Sequence, residues 1–491
     1  MRCLAVIAVA IGGSLVAEAG EAPAVPAPAA EVSAATTVVV INGASAGSAQ
    51  VAHAWMRLRG LADDQAVVLS DVPLVERITM AQFRQVILAP LEAALVRQGR
   101  VDQTLLVTYA PDFPLEISFD DHELGAGCRS PGALTGLTLL APLLADGPRS
   151  YTAPGANPYA DQPVAPGFAL EVLAQADVRS AQCDTALKAQ DLVAAERLLS
   201  ALALDIPAPG VLYNLACVQA LAGQRIAALT SLSSAIDAGW FNAQHSQQDA
   251  DLASLRTDPA WPDLVERMKH RATQIELGPS SPFAQIPARA GSPPGRLAIM
   301  LGVTTGIGLS IDETLVNLQR SVHADGTRPD GAVYFMASDD VDRTGPRRWA
   351  FSAAAALLEA HGVHAVVADG RLPPPGAQVL GATLGVADFN WAKSSAAIQP
   401  GAWCDHLTSF GGVVRPDNGQ TSFSAFLRAG AAGAGGTVTE PLNHHYKFPS
   451  AFVHVHRARG LSLVEAVYRS MSCPYQYLVV GDPLSRPWPA R

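Results

Sequence analysis

Between residues 38 and 110, short apolar runs alternate with longer stretches of helical periodicity. VVVI (38–41) leads through a Gly/Ser turn, Gly43 to Ser48, into a helix near Ala49 to Arg59. VVLS follows, then a helix near Met80 to Arg97, then TLLVTY. Strands joined by helices run parallel, so this order predicts a βαβαβ unit. Residues 296–491 return to the same alternation: LAIML, a helix from Ile311 to His323, AVYFMA, a helix from Arg348 to His361, HAVVAD, VLGATLGVADF and GAWC. After these come a helix from Thr421 to Ala429, GTVTE, a helix from Ser462 to Ser470, and YLVVGD. Several of these runs are apolar throughout, as strands covered on both faces must be.

The texture changes between Val178 and Met268, where helices are rich in Ala and Leu. A shift of 34 residues lays one stretch on the next: Ala194 falls on Ala228, Leu198 on Leu232 and Ala201 on Ala235. Small residues at these places, with Gly223 at a turn, predict closely packed antiparallel helix pairs. The stretch resembles a tetratricopeptide repeat without the large aromatics of the consensus. A third copy, interrupted at Pro259 and Pro262, reads as a degenerate closing pair. The same shift places Cys183 on Cys217, at equivalent positions of neighbouring helices roughly 8–10 Å apart, too far for a disulfide. Five prolines between Gly278 and Gly295 read as a linker.

The fold class expected is α/β: two parallel-sheet halves flanking an all-α, tetratricopeptide-like insert. The divisions are a signal peptide (1–19), a flexible leader (20–36), an N-terminal α/β half (37–165), helical repeats (170–277), a Pro-rich linker (278–295) and a C-terminal α/β domain (296–491). The signal is read from Met1-Arg2, the apolar run Leu4 to Val16 and Ala17-Glu18-Ala19, with cleavage before Gly20. That run is shorter than the ~20 residues a spanning helix needs, so the expectation is an exported protein, periplasmic or extracellular, without a membrane span.

With 49% hydrophobic and 16% charged residues, the chain is globular. Its net charge of −10, without a run of Lys or Arg, excludes nucleic acid as the expected partner. Removing the signal leaves Cys128, Cys183, Cys217, Cys404 and Cys473, an odd set, so at least one thiol is unpaired. No CxxC spacing suggests a cysteine-built metal site. The Gly43–Ser48 turn lacks the Lys of a phosphate loop. LGVTTGIGLS has the spacing of a dehydrogenase turn, but neither its acidic ribose partner nor a YxxxK follows. No cofactor is expected.

Ligands of open parallel sheets bind at the carboxyl ends of strands, and here those ends are polar. Asn390, Trp391 and Lys393 follow one strand, Cys404, Asp405 and His406 the next; then come Glu440, Asn443, His444 and His445, and finally Asp482. Ordinary turn polarity accounts for any one of them. DHLTSFGG (405–412), GTVTEP (436–441), KFP (447–449) and GDPL (481–484) resemble an uncharacterised family of exported bacterial proteins. MLGVTTGIG and the SVHADGTRP segment extend the likeness, which carries no activity. A more distant resemblance is to gingipain-type cysteine peptidases of the caspase-like fold, in which a His follows one strand and the nucleophilic Cys ends the next. It implies a flavodoxin-like pair of halves and Cys404 as nucleophile.

The preceding strand, however, is followed by Asn390-Trp391-Ala392-Lys393 and no His. A base for Cys404 would have to come from His444 or His445, less readily from His406. Asp405, Glu440, Asn390 and Asp482 are the accompanying binding candidates. Asp405, His406, Glu440 and the two loop histidines are sound metal-ligand types, but their spacing matches no signature, and no metal is assigned. His454 and His456 read as one face of an extended stretch. Two readings stand: a non-catalytic protein on a degenerate caspase-like scaffold, docking a protein or peptide through its helical repeats, and a peptidase-like hydrolase using Cys404. The missing histidine favours the first.

Overall fold

The computed structural model describes residues 31–120, 124, 128–161, 182–183, 185–205, 207, 209–241, 243–273, 277 and 282–489. The signal segment and most of the leader lie outside them. Thirteen strands are described: β1 (Thr37–Asn42), β2 (Ala66–Leu69), β3 (Arg77–Thr79), β4 (Leu106–Tyr109), β5 (Glu116–Ser118), β6 (Gly132–Ala133), β7 (Leu297–Met300), β8 (Ala332–Ala337), β9 (Ala365–Asp369), β10 (Gln378–Leu384), β11 (Ala397–His406), β12 (Gly433–Thr437) and β13 (Tyr477–Gly481). Ten form one sheet in the order β2-β1-β4-β7-β13-β12-β11-β10-β8-β9, while β3, β5 and β6 make a small second sheet.

The α/β residues on either side of the repeats therefore build one unit, not two separate halves. Strand β4 pairs in parallel with β7, Leu106 opposite Leu297 and Tyr109 opposite Met300. Alternating side chains enter two cores: Val38 and Val40 on one face, Val39 and Ile41 on the other. Both faces are covered, which is why these strands read as uninterrupted apolar runs. One pairing in the large sheet is antiparallel, that of β12 with β13, Gly433 opposite Gly481 and Thr437 opposite Tyr477. It divides the strand ends: β1, β2, β4, β7 and β13 finish at one edge, β8 to β12 at the other.

Order begins before Thr37. Val32 is fully buried, and Arg486 bonds its carbonyl at 2.8 Å. From residue 282 onward the Pro-rich stretch is likewise packed: Phe283 is buried, Ile286 bridges Gly295, and Gln285 donates to the Val101 carbonyl at 2.6 Å. An apolar side chain every few residues holds it down, which composition alone concealed. His454 and His456 lie on a helix, Phe452–Ala458, and not on an extended stretch. Both are buried: His454 contacts Thr383 Oγ1 at 3.1 Å, and His456 Nε2 lies 3.0 Å from Asp161.

Gln162–Leu277 form the other unit, with helices Leu192–Asp205, Pro209–Leu221, Arg225–Asp237, Ala243–Gln248 and Trp261–Thr273. The repeat segment before Gln182 lies outside the described residues. The buried positions recur with a spacing of 33 residues, not 34: Ala195 to Ala228 to Trp261, Leu199 to Leu232 to Val265, and Leu202 to Ala235 to Met268. Ala194, Leu198 and Ala201 sit one residue off that face and are half-buried. The third copy closes on the same period despite its prolines. Pro262 falls in the first turn of its helix, where no N–H is required. Among the described residues, no helix is long and apolar enough to cross a membrane.

Candidate functional site

The edge where β8 to β12 end carries most of the polar residues singled out above. Strand β11 runs two residues past Cys404, so this cysteine is not at a strand end. It lies inside the sheet, opposite Ala382 of β10 and Ala434 of β12, fully buried, and burial pushes its thiol well above the ordinary range. The strand continues because its next two side chains find partners. Arg347 donates to Asp405 Oδ2 at 2.6 Å, to the Leu384 carbonyl at 2.7 Å and to the Pro449 carbonyl at 3.2 Å. The Tyr477 hydroxyl donates to the same carboxylate oxygen at 3.2 Å. Burial raises the Asp405 pKa, with Arg347 opposing the shift. His406 places Nδ1 2.8 Å from the Val386 carbonyl and its ring edge-on to Phe389, with centroids 5.1 Å apart. Burial lowers its pKa to about 4. Among the described residues, no hydrogen bond joins Cys404 to His406, His444 or His445.

The loop after β12 turns through Leu442 and Asn443, both at positive φ, and Glu440 Oε1 closes the turn by accepting the Leu442 N–H at 2.8 Å. His444 stacks on Tyr446, centroids 5.0 Å apart, and burial lowers its pKa to about 4. His445 is exposed and edge-on to Trp349 at 6.2 Å. Asn390 is exposed at the start of the short helix Trp391–Lys393. Asp482 belongs to the opposite edge, because β13 runs against β12. There it is buried, accepting from Trp55 Nε1 at 3.0 Å and paired with Arg59. The residues expected along one edge are thus divided between two. Among the described residues, no group of three or more His, Cys, Asp or Glu side chains is arranged to hold a metal ion.

Much of the C-terminal signature serves packing. A Cβ at Gly436 would stand 2.3 Å from the Gly411 carbonyl carbon, so the loop of DHLTSFGG can lie against β12 only where both chains lack side chains. The Gly412 N–H bonds the Thr437 carbonyl there at 2.9 Å. Gly481 has φ +136° beside the Ala432 carbonyl, and sets the bend that carries Asp482 to Arg59.

Two groups of residues escaped the sequence reading. Arg347 and Tyr477, the partners of Asp405, are far away in the chain, and no local pattern marks them. At the other edge, Asp112 follows β4 in a left-handed conformation, φ +67°, and receives hydrogen bonds from Ser45 and Thr304. The signal available was Gly43-Ala44-Ser45-Ala46-Gly47, a serine flanked by glycines between a strand and a helix. Compared with family models, curated proteins and solved structures, the chain matches none of them.

Proposed function

We propose that this is an exported partner-binding protein, whose helical repeats dock a protein or peptide while the α/β unit is a caspase-like scaffold without a cysteine dyad. The observation that carries the reading is a repeated exposed apolar position. Val193 and Ile226, 33 residues apart (193 to 226), are each 79% exposed at the starts of the helices Leu192–Asp205 and Arg225–Asp237. Leu221, 42% exposed, lies across the Gly223 turn from Ile226. Stacked repeats present equivalent side chains as a row, and large apolar side chains kept in water at successive repeats mark a binding surface. The scaffold part of the reading is supported by the loop after β10, Gly385 to Asn390, which has no histidine, and by β11, which ends at a buried His406 and not at a thiol.

A photo-crosslinking residue at Ile226 of the full chain, expressed in its native host, should trap one discrete polypeptide. Val193→Asp should weaken capture roughly tenfold or more, as loss of an anchoring contact does, without altering the circular dichroism spectrum. Crosslinks to no defined polypeptide, or capture insensitive to Val193→Asp, would overturn the reading.

A further inference from the structure

We propose that Cys128 and Cys473 form a dithiol site that exchanges with small disulfides and closes to an intramolecular bond, tying the lead-in of β6 to the lead-in of β13. The inference does not rest on partner binding or on export, because its test supplies the oxidant. Cys128 Sγ donates to the Thr152 carbonyl at 3.6 Å, and Cys473 Sγ donates to the same oxygen at 3.4 Å. The two sulfurs are therefore separated at most by these two distances laid end to end. By contrast, Cys183 turns to the Ala195 carbonyl at 3.9 Å and Cys217 to Asp249 at 3.7 Å. The backbone is stitched together beside the paired sulfurs. The Tyr475 hydroxyl accepts the Arg129 N–H at 3.1 Å and donates to the Arg129 carbonyl at 3.3 Å, and Gln476 Nε2 donates to that carbonyl at 3.3 Å. The Tyr446 carbonyl accepts the Cys473 N–H at 2.9 Å. Held this way, the sulfurs approach each other by rotation about the two Cα–Cβ bonds, the side-chain freedom on which disulfide geometry draws.

A buried ammonium beside the two thiols sets this cluster apart from ordinary core packing. A cysteine that merely fills space behaves as a small apolar side chain and needs no cation near it, while a buried cation is costly unless an anion faces it. Lys447 is fully buried, donates from Nζ to the Pro441 carbonyl at 3.1 Å and lies 5.3 Å from the centre of the Tyr475 ring. Its charge acts on both Cys473 and Cys128. Burial pushes the Cys473 thiol up to about 12, and the Lys447 ammonium and the Tyr475 N–H oppose that rise. Both therefore favour the thiolate through which exchange runs.

Cys128 is 8% exposed and Cys473 0%, so Cys128 meets the disulfide first. Its thiolate attacks one sulfur of glutathione disulfide, whose S–S bond breaks, and one glutathione leaves as thiolate. The Cys473 thiolate then attacks Cys128 Sγ, the mixed disulfide breaks, and the second glutathione leaves. The two cysteines are oxidised to one disulfide, glutathione disulfide is reduced to two thiols, and the protons released by the cysteines end on them.

The test uses the purified full chain, reduced with dithiothreitol and freed of it, then incubated in the folded state with glutathione disulfide. Exchange is stopped with acid, and the protein is denatured, alkylated and mapped by mass spectrometry. Expected is a pair of peptides joined through Cys128 and Cys473, with alkylation lost at these two and kept at Cys183, Cys217 and Cys404. Cys473→Ala should leave glutathione trapped on Cys128, because the second attack has no thiol. Lys447→Met, checked for its fold by circular dichroism, should close about tenfold more slowly as the thiolate fraction falls. Alkylation of both Cys128 and Cys473 after oxidation of the wild type, or closure of folded Lys447→Met at the wild-type rate, would overturn the proposal.

Discussion

Replacing Arg347 with alanine should destabilise the protein by about 3–5 kcal/mol, the scale for stranding one member of a buried ion pair. Both side chains are almost wholly enclosed, and the guanidinium also donates to the Leu384 and Pro449 carbonyls, so its loss strips the buried carboxylate of its counter-charge, leaving it the Tyr477 hydroxyl, and takes one donor from each carbonyl. Removing the charge from the other side as well, in Arg347→Met with Asp405→Asn, should recover much of the loss, because the uncompensated anion is gone. Urea denaturation of the wild type, the single variant and the double variant measures both. A single variant within about 1 kcal/mol of the wild type would show that this pair does not hold the end of β11 in place.

Acidification should produce the second large effect. Burial lowers the pKa of His406 from 6.5 to about 4 and that of His454 to about 3. Arg347 and Arg343 reinforce the shift at His406, and Arg457 and Arg347 at His454. A group whose folded pKa is depressed contributes stability that is present above its unfolded pKa and lost as pH falls toward the folded value. For these histidines the loss begins near pH 6.5 and runs to about pH 4 and about pH 3 respectively. At pH 5 each contributes a loss of about 2 kcal/mol, since the unfolded chain binds a proton that the folded chain refuses. Stability by urea denaturation should therefore fall by several kcal/mol between pH 7 and pH 5, and His406→Gln should flatten that dependence. An unchanged pH dependence in His406→Gln would contradict a neutral buried imidazole.

The strands and repeats were legible because their cause is local. Runs such as VVVI and AVYFMA are apolar on both faces, and small residues recur where helices meet. The repeat period was misread by one residue because Ala194 and Ala201 match their counterparts in kind, whereas burial selects Ala195 and Leu202, about 100° further round the helix. The candidate site was less legible. An Asp-His pair after an apolar run looks like a strand end, yet distant Arg347 and the Val386 carbonyl let β11 carry both residues inside. Strand direction was hidden as well: YLVVGD reads the same parallel or antiparallel, and only pairing with β12 sends Asp482 to the other edge. Ser45 and Asp112 lie 67 residues apart and meet because β1 and β4 are neighbours.

The burial of Cys404 inside the sheet is tested most directly by the alkylation rate of that cysteine. The folded protein, treated with iodoacetamide at pH 6 and followed by mass spectrometry, should leave Cys404 unmodified until the protein is denatured, because the thiol is fully buried and its ionisation is suppressed. Labelling of Cys404 in the folded state faster than a model thiol, lost in His444→Ala or His445→Ala, would contradict the account and make the cysteine a nucleophile.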